Sequence, residues 1–338
     1  MVSSMLHRSP PPDGGAWRPT CLVLVLSLAL GACGDSPDSP TEPGLAAGEW
    51  IAFTSLRDGN QEIYVMRPDG TDARRLTHDP EQDFAPSWSP DGQQIAFVSY
   101  RDTLAHAPGT PTRHVPHVYL MRADGSELRR LGQREGAESS ESAPRWSPDG
   151  QRIAFSTPDP NGQNYQVVVA NVDGSGQAML VTEAYPEYSL VADWSPDGGR
   201  LLYLTNVEGD GWRKPYVMNA DGTGRRPLVR TCPFNTVGPR WSPDGGRLAF
   251  ACDTSYGAEL YLAEADGSDP VRLSAPTGPL NYVQDLAPTW SPDGTQLAFW
   301  SDRVGDGDVY AVSADGGPSR RITQSPGSDM PGDWVRTR

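Results

Sequence analysis

The phrase Trp-Ser-Pro-Asp-Gly occurs five times in this chain, beginning at Trp88, Trp146, Trp194, Trp241 and Trp290. Carried on to Trp334, the intervals between these tryptophans are 58, 48, 47, 49 and 44 residues. A repeat of nearly constant length marks a unit that cannot bury its own apolar face and must stack on its neighbours. A period of this size suits a propeller blade or a pair of helices, so the pattern inside each unit has to decide.

Each Asp-Gly is followed by a short apolar run: IAFVS from Ile95, IAFST from Ile153, LLYLT from Leu201, LAFAC from Leu248 and LAFWS from Leu297. These runs lack helical spacing and read as strands buried on both faces. A second run comes next: VYLM from Val118, VVVA from Val167, YVM from Tyr216, LYLA from Leu260 and VYAV from Val309. It leads into an Asp-Gly or similar turn and then a basic-apolar segment such as Arg129–Leu131. Asp-Gly between extended runs signals a hairpin, because glycine takes the positive φ that the turn needs. The 36 glycines and 33 prolines fit many short elements and argue against long helices.

Each unit is therefore four antiparallel strands, a propeller blade. The two ends complement each other. Ile51–Ser55, Ile63–Met66 and Arg74–Thr77 supply the last three strands of a unit, and Trp334 supplies a first strand with nothing behind it. The expected fold is all-β: a six-bladed β-propeller of four-stranded antiparallel blades over residues 49–338. It is closed by pairing the C-terminal strand that carries Trp334 with the first blade, which leaves no open sheet edge. In this reading each tryptophan wedges between neighbouring blades.

The pattern WSPDGxxIAFxSxRDGxxxIYVMxxDGxxxRRLT resembles the repeat of TolB-like (WD40-like) propellers. That repeat also occurs in the propeller domains of dipeptidyl peptidases and tricorn-type proteases. The resemblance covers residues 50–335 and implies the fold; the fold itself carries many unrelated activities. Two departures accompany it. TolB has an α/β domain ahead of its propeller, whereas only a short segment separates Cys33 from Glu49. The Gly-x-Ser-x-Gly of the peptidases does not occur.

Residues 1–32 read as a signal peptide. The apolar run Cys21–Ala32 is 12 residues long, shorter than the ~20 that span a bilayer. Leu30–Cys33 (LGAC) resembles the lipobox of bacterial lipoproteins. That resemblance implies cleavage before Cys33, acylation of its thiol and a stable membrane anchor. Residues 33–48 are then the lipid-attached cysteine and a Pro- and Ser-rich flexible linker, reaching up to ~45 Å if extended. Gly34 rather than an acid follows Cys33, which favours the outer membrane, on its periplasmic side.

The Ser-Pro-Asp-Gly and Asp-Gly turns are nearly identical from unit to unit and are read as structural. The loops at the other end have diverged, and a rigid scaffold usually binds through such loops. They carry Phe84, Tyr100, Tyr185, Tyr188, Trp212, Phe234 and Tyr282, the residue types that anchor interfaces. His106, His114 and His117 form a weak metal candidate, read first as solvated loop histidines. The acidic stretches 302–308 and 207–212 lack a closing bidentate glutamate and read as turns, not calcium loops. Cys232 and Cys252 flank one hairpin of an exported chain, and a clamping disulfide is expected. Folding about Asp244-Gly245 places Cys252 opposite roughly Val237.

The net charge of −15 argues against a nucleic-acid partner, since phosphate binding needs clustered Lys and Arg. The resulting expectation is a monomeric cell-envelope lipoprotein. Its propeller would bind a protein, peptide or envelope polymer without catalysis and without a cofactor. The alternative is a metal-dependent polysaccharide (uronate) lyase using the histidine loop. A third reading is a sensor with a small ligand in the central channel.

Overall fold

The computed structural model describes residues 45–104, 113–132, 142–158, 164–181, 189–228, 232, 234–255, 257–274 and 283–338. Cys33, His106, Tyr185, Tyr188 and Tyr282 lie outside these residues, as do the expected signal peptide and most of the linker.

Among the described residues every regular element is a strand. The first three are β1 (Gly48–Ser55), β2 (Glu62–Met66) and β3 (Arg74–Arg75). Then come β4 (Asp83–Trp88), β5 (Gln94–Leu104), β6 (Arg113–Arg122) and β7 (Arg129–Arg130). The next set is β8 (Ser142–Trp146), β9 (Arg152–Pro158), β10 (Tyr165–Asn171) and β11 (Ala178–Met179). It is followed by β12 (Ser189–Trp194), β13 (Arg200–Thr205), β14 (Lys214–Asn219) and β15 (Arg226–Pro227). β16 (Thr236–Trp241), β17 (Arg247–Thr254), β18 (Gly257–Glu264) and β19 (Val271–Arg272) come next. The chain finishes with β20 (Val283–Trp290), β21 (Gln296–Ser301), β22 (Asp308–Ser313), β23 (Arg320–Arg321) and β24 (Asp329–Thr337).

The Trp-Ser-Pro-Asp-Gly turns join antiparallel neighbours, with Trp88 opposite Ile95, Trp146 opposite Ile153 and Trp194 opposite Leu201. Trp241 and Trp290 face Leu248 and Leu297 in the same way. β24 pairs with β1, placing Trp334 opposite Ile51. The inner strands touch in the order β4, β8, β12, β16, β20 and β24, and β24 returns to β4.

The expected count of six separate four-stranded blades is corrected by the hydrogen bonding. Four such sheets stand alone: β24-β1-β2-β3, β4-β5-β6-β7, β8-β9-β10-β11 and β12-β13-β14-β15. The eight strands β16–β23 form one continuous sheet, because β18 pairs in parallel with β20 through Gly257↔Val283 and Ala258↔Gln284. The cause is local. The β17–β18 hairpin is tight, with Thr254 already paired to Gly257. Gly257 has φ 118°, and a Cβ there would lie 1.9 Å from the Val283 carbonyl oxygen. Only glycine lets the two backbones approach so closely.

The core lies between sheets, because the middle strands bury both faces. Trp88 sits among Ile63 and Val65 on one side and Ile95 and Phe97 on the other. Trp194 lies among Val167, Val169, Leu201 and Tyr203, and Trp334 among Ile51, Phe53, Val309 and Ala311. Burying one such indole is worth about 4–6 kcal/mol gross.

The repeated turn explains itself at the atomic level. Ser242 Oγ donates to Asp244 Oδ1 at 2.5 Å and accepts from the Arg247 N–H at 2.9 Å. Asp244 Oδ1 also accepts from the Gly246 N–H at 3.0 Å. Ser147, Ser195 and Ser291 repeat the serine–aspartate contact. These donors hold the carboxyls of Asp149, Asp197, Asp244 and Asp293 below the usual range. Successive turns also touch. A Cβ on Gly150, Gly198, Gly245 or Gly294 would meet Pro90, Pro148, Pro196 or Pro243, the proline of the preceding turn.

At the other end of the strands, three units share a buried latch. Arg101 Nη2 binds Asp83 and its Nε binds Ser99 Oγ. Arg303 does the same with Asp285 and Ser301, and Arg57 with Asp329 and Ser55. In the β16–β17 pair the serine position is Cys252, which faces Thr236. There Cys232 and Cys252 are disulfide-bonded, with Cα atoms 5.3 Å apart. The bond ties the incoming loop to the strand where those three units use an ion pair.

Candidate functional site

In four inner strands a proline stands two residues before the tryptophan: Pro86, Pro144, Pro239 and Pro288. Proline has no N–H for the ladder, so the strand bulges there. The register shifts between Phe84 and Ser87, Ser142 and Arg145, Val237 and Arg240, and Leu286 and Thr289. Ahead of each proline the backbone turns left-handed, with φ of 54°, 50°, 54° and 51° at Ala85, Ala143, Gly238 and Ala287. The bulge aims the residue just before the tryptophan at the axis. Around the ring those residues are Asp333, Ser87, Arg145, Asp193, Arg240 and Thr289.

Four of them are charged and meet across the ring. Asp193 Oδ2 accepts from the Trp241 N–H at 2.9 Å, and its Oδ1 lies 3.7 Å from Arg240 Nη1. Asp333 Oδ2 accepts from the Trp88 N–H at 3.0 Å and from Ser87 Oγ at 3.3 Å. Each carboxylate thus ties its own inner strand to a neighbouring one. Arg240 Nη2 donates to the Gly332 carbonyl at 2.9 Å. Arg145 donates to the carbonyls of Ala192 and Pro144, at 2.9 and 3.0 Å, and forms no ion pair among the described residues. Burial, reinforced by the neighbouring Arg240 charge, brings the Arg145 guanidinium down to about 9. Burial also pushes the Asp193 carboxyl up, against the pull of Arg240 and Arg145.

Arg145 and Arg240 floor a cavity of about 200 Å³. Its walls are mostly apolar and include Leu56, Phe84, Met330 and Pro331. The mouth opens at the start of the inner strands, beside Leu56, Phe84 and Met330. Phe84 stacks on Tyr100 at the rim, with centroids 5.9 Å apart.

A second feature lies on the same face. Trp212 meets Phe234 edge-on at 5.1 Å, and Trp212 remains 38% exposed. The pair walls an open groove of about 510 Å³ with Arg213, Asp253, Gln284 and Leu286. The structure therefore brings four of the aromatic candidates together in two pairs. A more open region, of about 870 Å³, is at the opposite face and is lined by turn residues such as Pro90, Asp91 and Asp149. Because those residues recur in every unit as turn chemistry, it is not the candidate site.

The histidines take other roles. His117 is buried, and its Nδ1 accepts from Arg130 Nη2 at 3.0 Å. That lone pair is unavailable to a metal. His114 Nδ1 donates to the Tyr100 carbonyl at 3.1 Å, and its Nε2 lies 3.6 Å from Glu81. Among the described residues, no group of three or more His, Cys, Asp or Glu side chains could hold a metal ion.

The axial charges escaped the sequence reading, although a signal was present. When the units are aligned on tryptophan, the position before it varies between Ser, Arg, Asp and Thr while the following Ser-Pro-Asp-Gly is constant. A variable position inside a fixed motif points to a surface that differs from unit to unit.

The fold and site together define an all-β propeller with an axial cavity and aromatic pairs on one face. The chain belongs to the family described as the TolB beta propeller domain, which matches residues 43–161 and 156–336. It is 34% identical over 122 residues to an uncharacterized protein of Agrobacterium fabrum, covering 36% of this chain and 39% of that protein. It is 30% identical over 142 residues to the Tol-Pal system protein TolB of Anaeromyxobacter dehalogenans, covering 42% of this chain and 29% of that protein. The matched segments thus span well under half the length of these relatives. Among solved structures, TolB from Acinetobacter baumannii superposes with a TM-score of 0.67 at 17% identity, over 85% of this chain and 66% of that one. A putative TolB from Agrobacterium tumefaciens gives 0.61 at 19% identity, over 87% of this chain and 99% of that one.

Proposed function

We propose that this chain is a non-enzymatic binding scaffold of the bacterial envelope, docking a partner protein on the face that carries the diverged loops. The observation that carries this reading is the Trp212–Phe234 pair. A large indole left 38% exposed beside a second ring, within reach of Arg213, Asp253 and Gln284, has the make-up of an interface anchor. The relatives named as Tol-Pal system proteins support an envelope role, and the net charge of −15 favours a cationic partner. On this reading residues 1–32 export the chain, acylated Cys33 anchors it to the outer membrane facing the periplasm, and the linker lets the propeller reach its partner.

Cross-linking and pull-down from envelope extract with the full-length acylated protein test the reading. The paired substitutions Trp212→Ala and Phe234→Ala should reduce recovery of a specific protein by ~10-fold or more, with the thermal melt little changed. A partner set that survives both substitutions overturns the docking face. Separately, Cys33→Ser should move the protein from the membrane to the soluble fraction; retention on the membrane overturns the anchor.

A further inference from the structure

We infer that the axial cavity is a binding site for a small organic carboxylate with an apolar stem, held head-down against Arg145 and Arg240. This goes beyond the docking reading and uses a different part of the same face.

Three observations converge on it. The first is the division of labour among the axial charges. Asp193 and Asp333 spend their carboxylates on the backbone N–H groups of Trp241 and Trp88, and neither lines the cavity. Arg145 and Arg240 do line it. The charge presented to an entering ligand is therefore positive, although the four side chains together sum to zero.

The second is the incomplete pairing of Arg145. Its Nε and Nη1 donate to main-chain carbonyls, and among the described residues its other terminal nitrogen meets no acceptor and no carboxylate lies within ion-pair distance of it. A half-buried guanidinium whose charge is offset only through space, by Asp333 and Asp193, is incompletely compensated. An anion that supplies a direct counter-charge gains charge-assisted hydrogen bonds in a medium where they are strong. The proton affinity of Arg145, lowered by burial and by Arg240 and only partly restored by Asp333 and Asp193, agrees with that shortfall.

The third is shape. The cavity of about 200 Å³ equals roughly seven water volumes. Above the guanidinium floor, the apolar side chains of Phe84, Leu56 and Met330 form the walls. A carboxylate on a short hydrocarbon or aromatic stem matches both parts, whereas a bulky dianion or a sugar does not. The backbone that forms the floor is preorganised by the proline bulges, so little ordering is needed on binding.

Such a head group occurs in free short-chain or aryl-alkyl acids and at the C-terminus of a peptide ending in an apolar residue. Calorimetric titration of the full chain with 3-phenylpropanoate and with 3-phenylpropanamide tests the chemistry. The acid should bind and the amide should bind at least ~10-fold more weakly. Added salt should weaken the acid alone. Equal binding of the two, or binding of neither, overturns the site. A peptide ending in Phe, with its C-terminus free or amidated, separates the sources. Tighter binding of the free-terminus peptide than of the small acid assigns the cavity to chain ends; the reverse assigns it to free acids.

Arg145→Gln should lose the acid ~10-fold or more, and Arg145→Lys should retain part of it. Met330→Trp narrows the mouth without touching either arginine or any buried hydrogen bond, and it should abolish binding while the melt stays in place. A folded Met330→Trp protein that binds the acid as the parent does also overturns the proposal. Failure here leaves the Trp212 groove unaffected, since its pull-down does not pass through the axis.

Discussion

Arg303 shows how much one side chain supports at this fold's ends. Its guanidinium forks onto both oxygens of Asp285 at 2.8 and 2.9 Å, and Asp285 is 1% exposed. Truncating one partner of a buried pair leaves the other charge without compensation, a loss of about 3–5 kcal/mol. Arg303→Met should therefore lower the free energy of unfolding by that amount in a urea titration. The double change Arg303→Met with Asp285→Leu should recover much of it, and equal losses in the two proteins would show that no pair energy is at stake. His117 makes the opposite contribution. Burial, with Arg130 against its Nδ1, lowers the imidazole from 6.5 to about 4. The unfolded chain thus takes up this proton at higher pH than the folded one. Stability falls as pH drops below 6.5 and stops falling near 4 on this account, by up to about 3 kcal/mol. His117→Gln should flatten the decline in urea midpoint between pH 7 and 4. A variant with the parent's slope would assign that slope to groups other than His117 and the turn aspartates. Their carboxyls, held low by Ser donors, lose stabilisation only as pH falls below the ordinary carboxylate range.

At the scale of elements, the hairpins were legible because each carries its own chemistry. Ser-Pro-Asp-Gly closes a turn with its own hydroxyl and carboxylate, and the apolar runs on either side have no other way to bury both faces. The pairing of Cys252 was read to within one residue: it faces Thr236, not Val237. The parallel bridge from β18 to β20 was not legible. It depends on a short connection and on Gly257 touching a backbone 26 residues away in sequence, and neither leaves a periodic trace. This is why the expected separate blades merge over β16–β23. Gly257→Ala tests the element directly. The new Cβ would overlap the Val283 carbonyl at a φ of 118°, so the variant should lose ~2 kcal/mol or more. Hydrogen exchange should quicken at Ala258 and Gln284 ahead of the rest of the sheet. Unchanged exchange there would mean that the bridge contributes little to holding the strands together.

The whole molecule depends on how the chain's two ends meet, because β1 has one free edge until β24 covers it. Nine residues, Asp329–Thr337, supply that cover. They also bring Trp334 between Ile51 and Val309, Asp329 onto Arg57, and Asp333 onto the Trp88 N–H. The position of Trp334 was readable as a first strand lacking its successors. Its partners at the axis were not, since Asp333, Arg145, Asp193 and Arg240 are far apart in sequence and come together only when the circle is drawn. Trp334→Ala removes the wedge alone and should cost about 3–5 kcal/mol while leaving a single cooperative melt. Deleting residues 329–338 removes the wedge, the edge cover, the buried carboxylate of Asp329 and the half-buried one of Asp333 together. That protein should melt broadly or aggregate, with the fastest hydrogen exchange along β1. A deletion variant that melts sharply at the parent's temperature would show that the sheets hold together without the seam. The axial cavity would even then lose Met330, Pro331 and Gly332 from its lining.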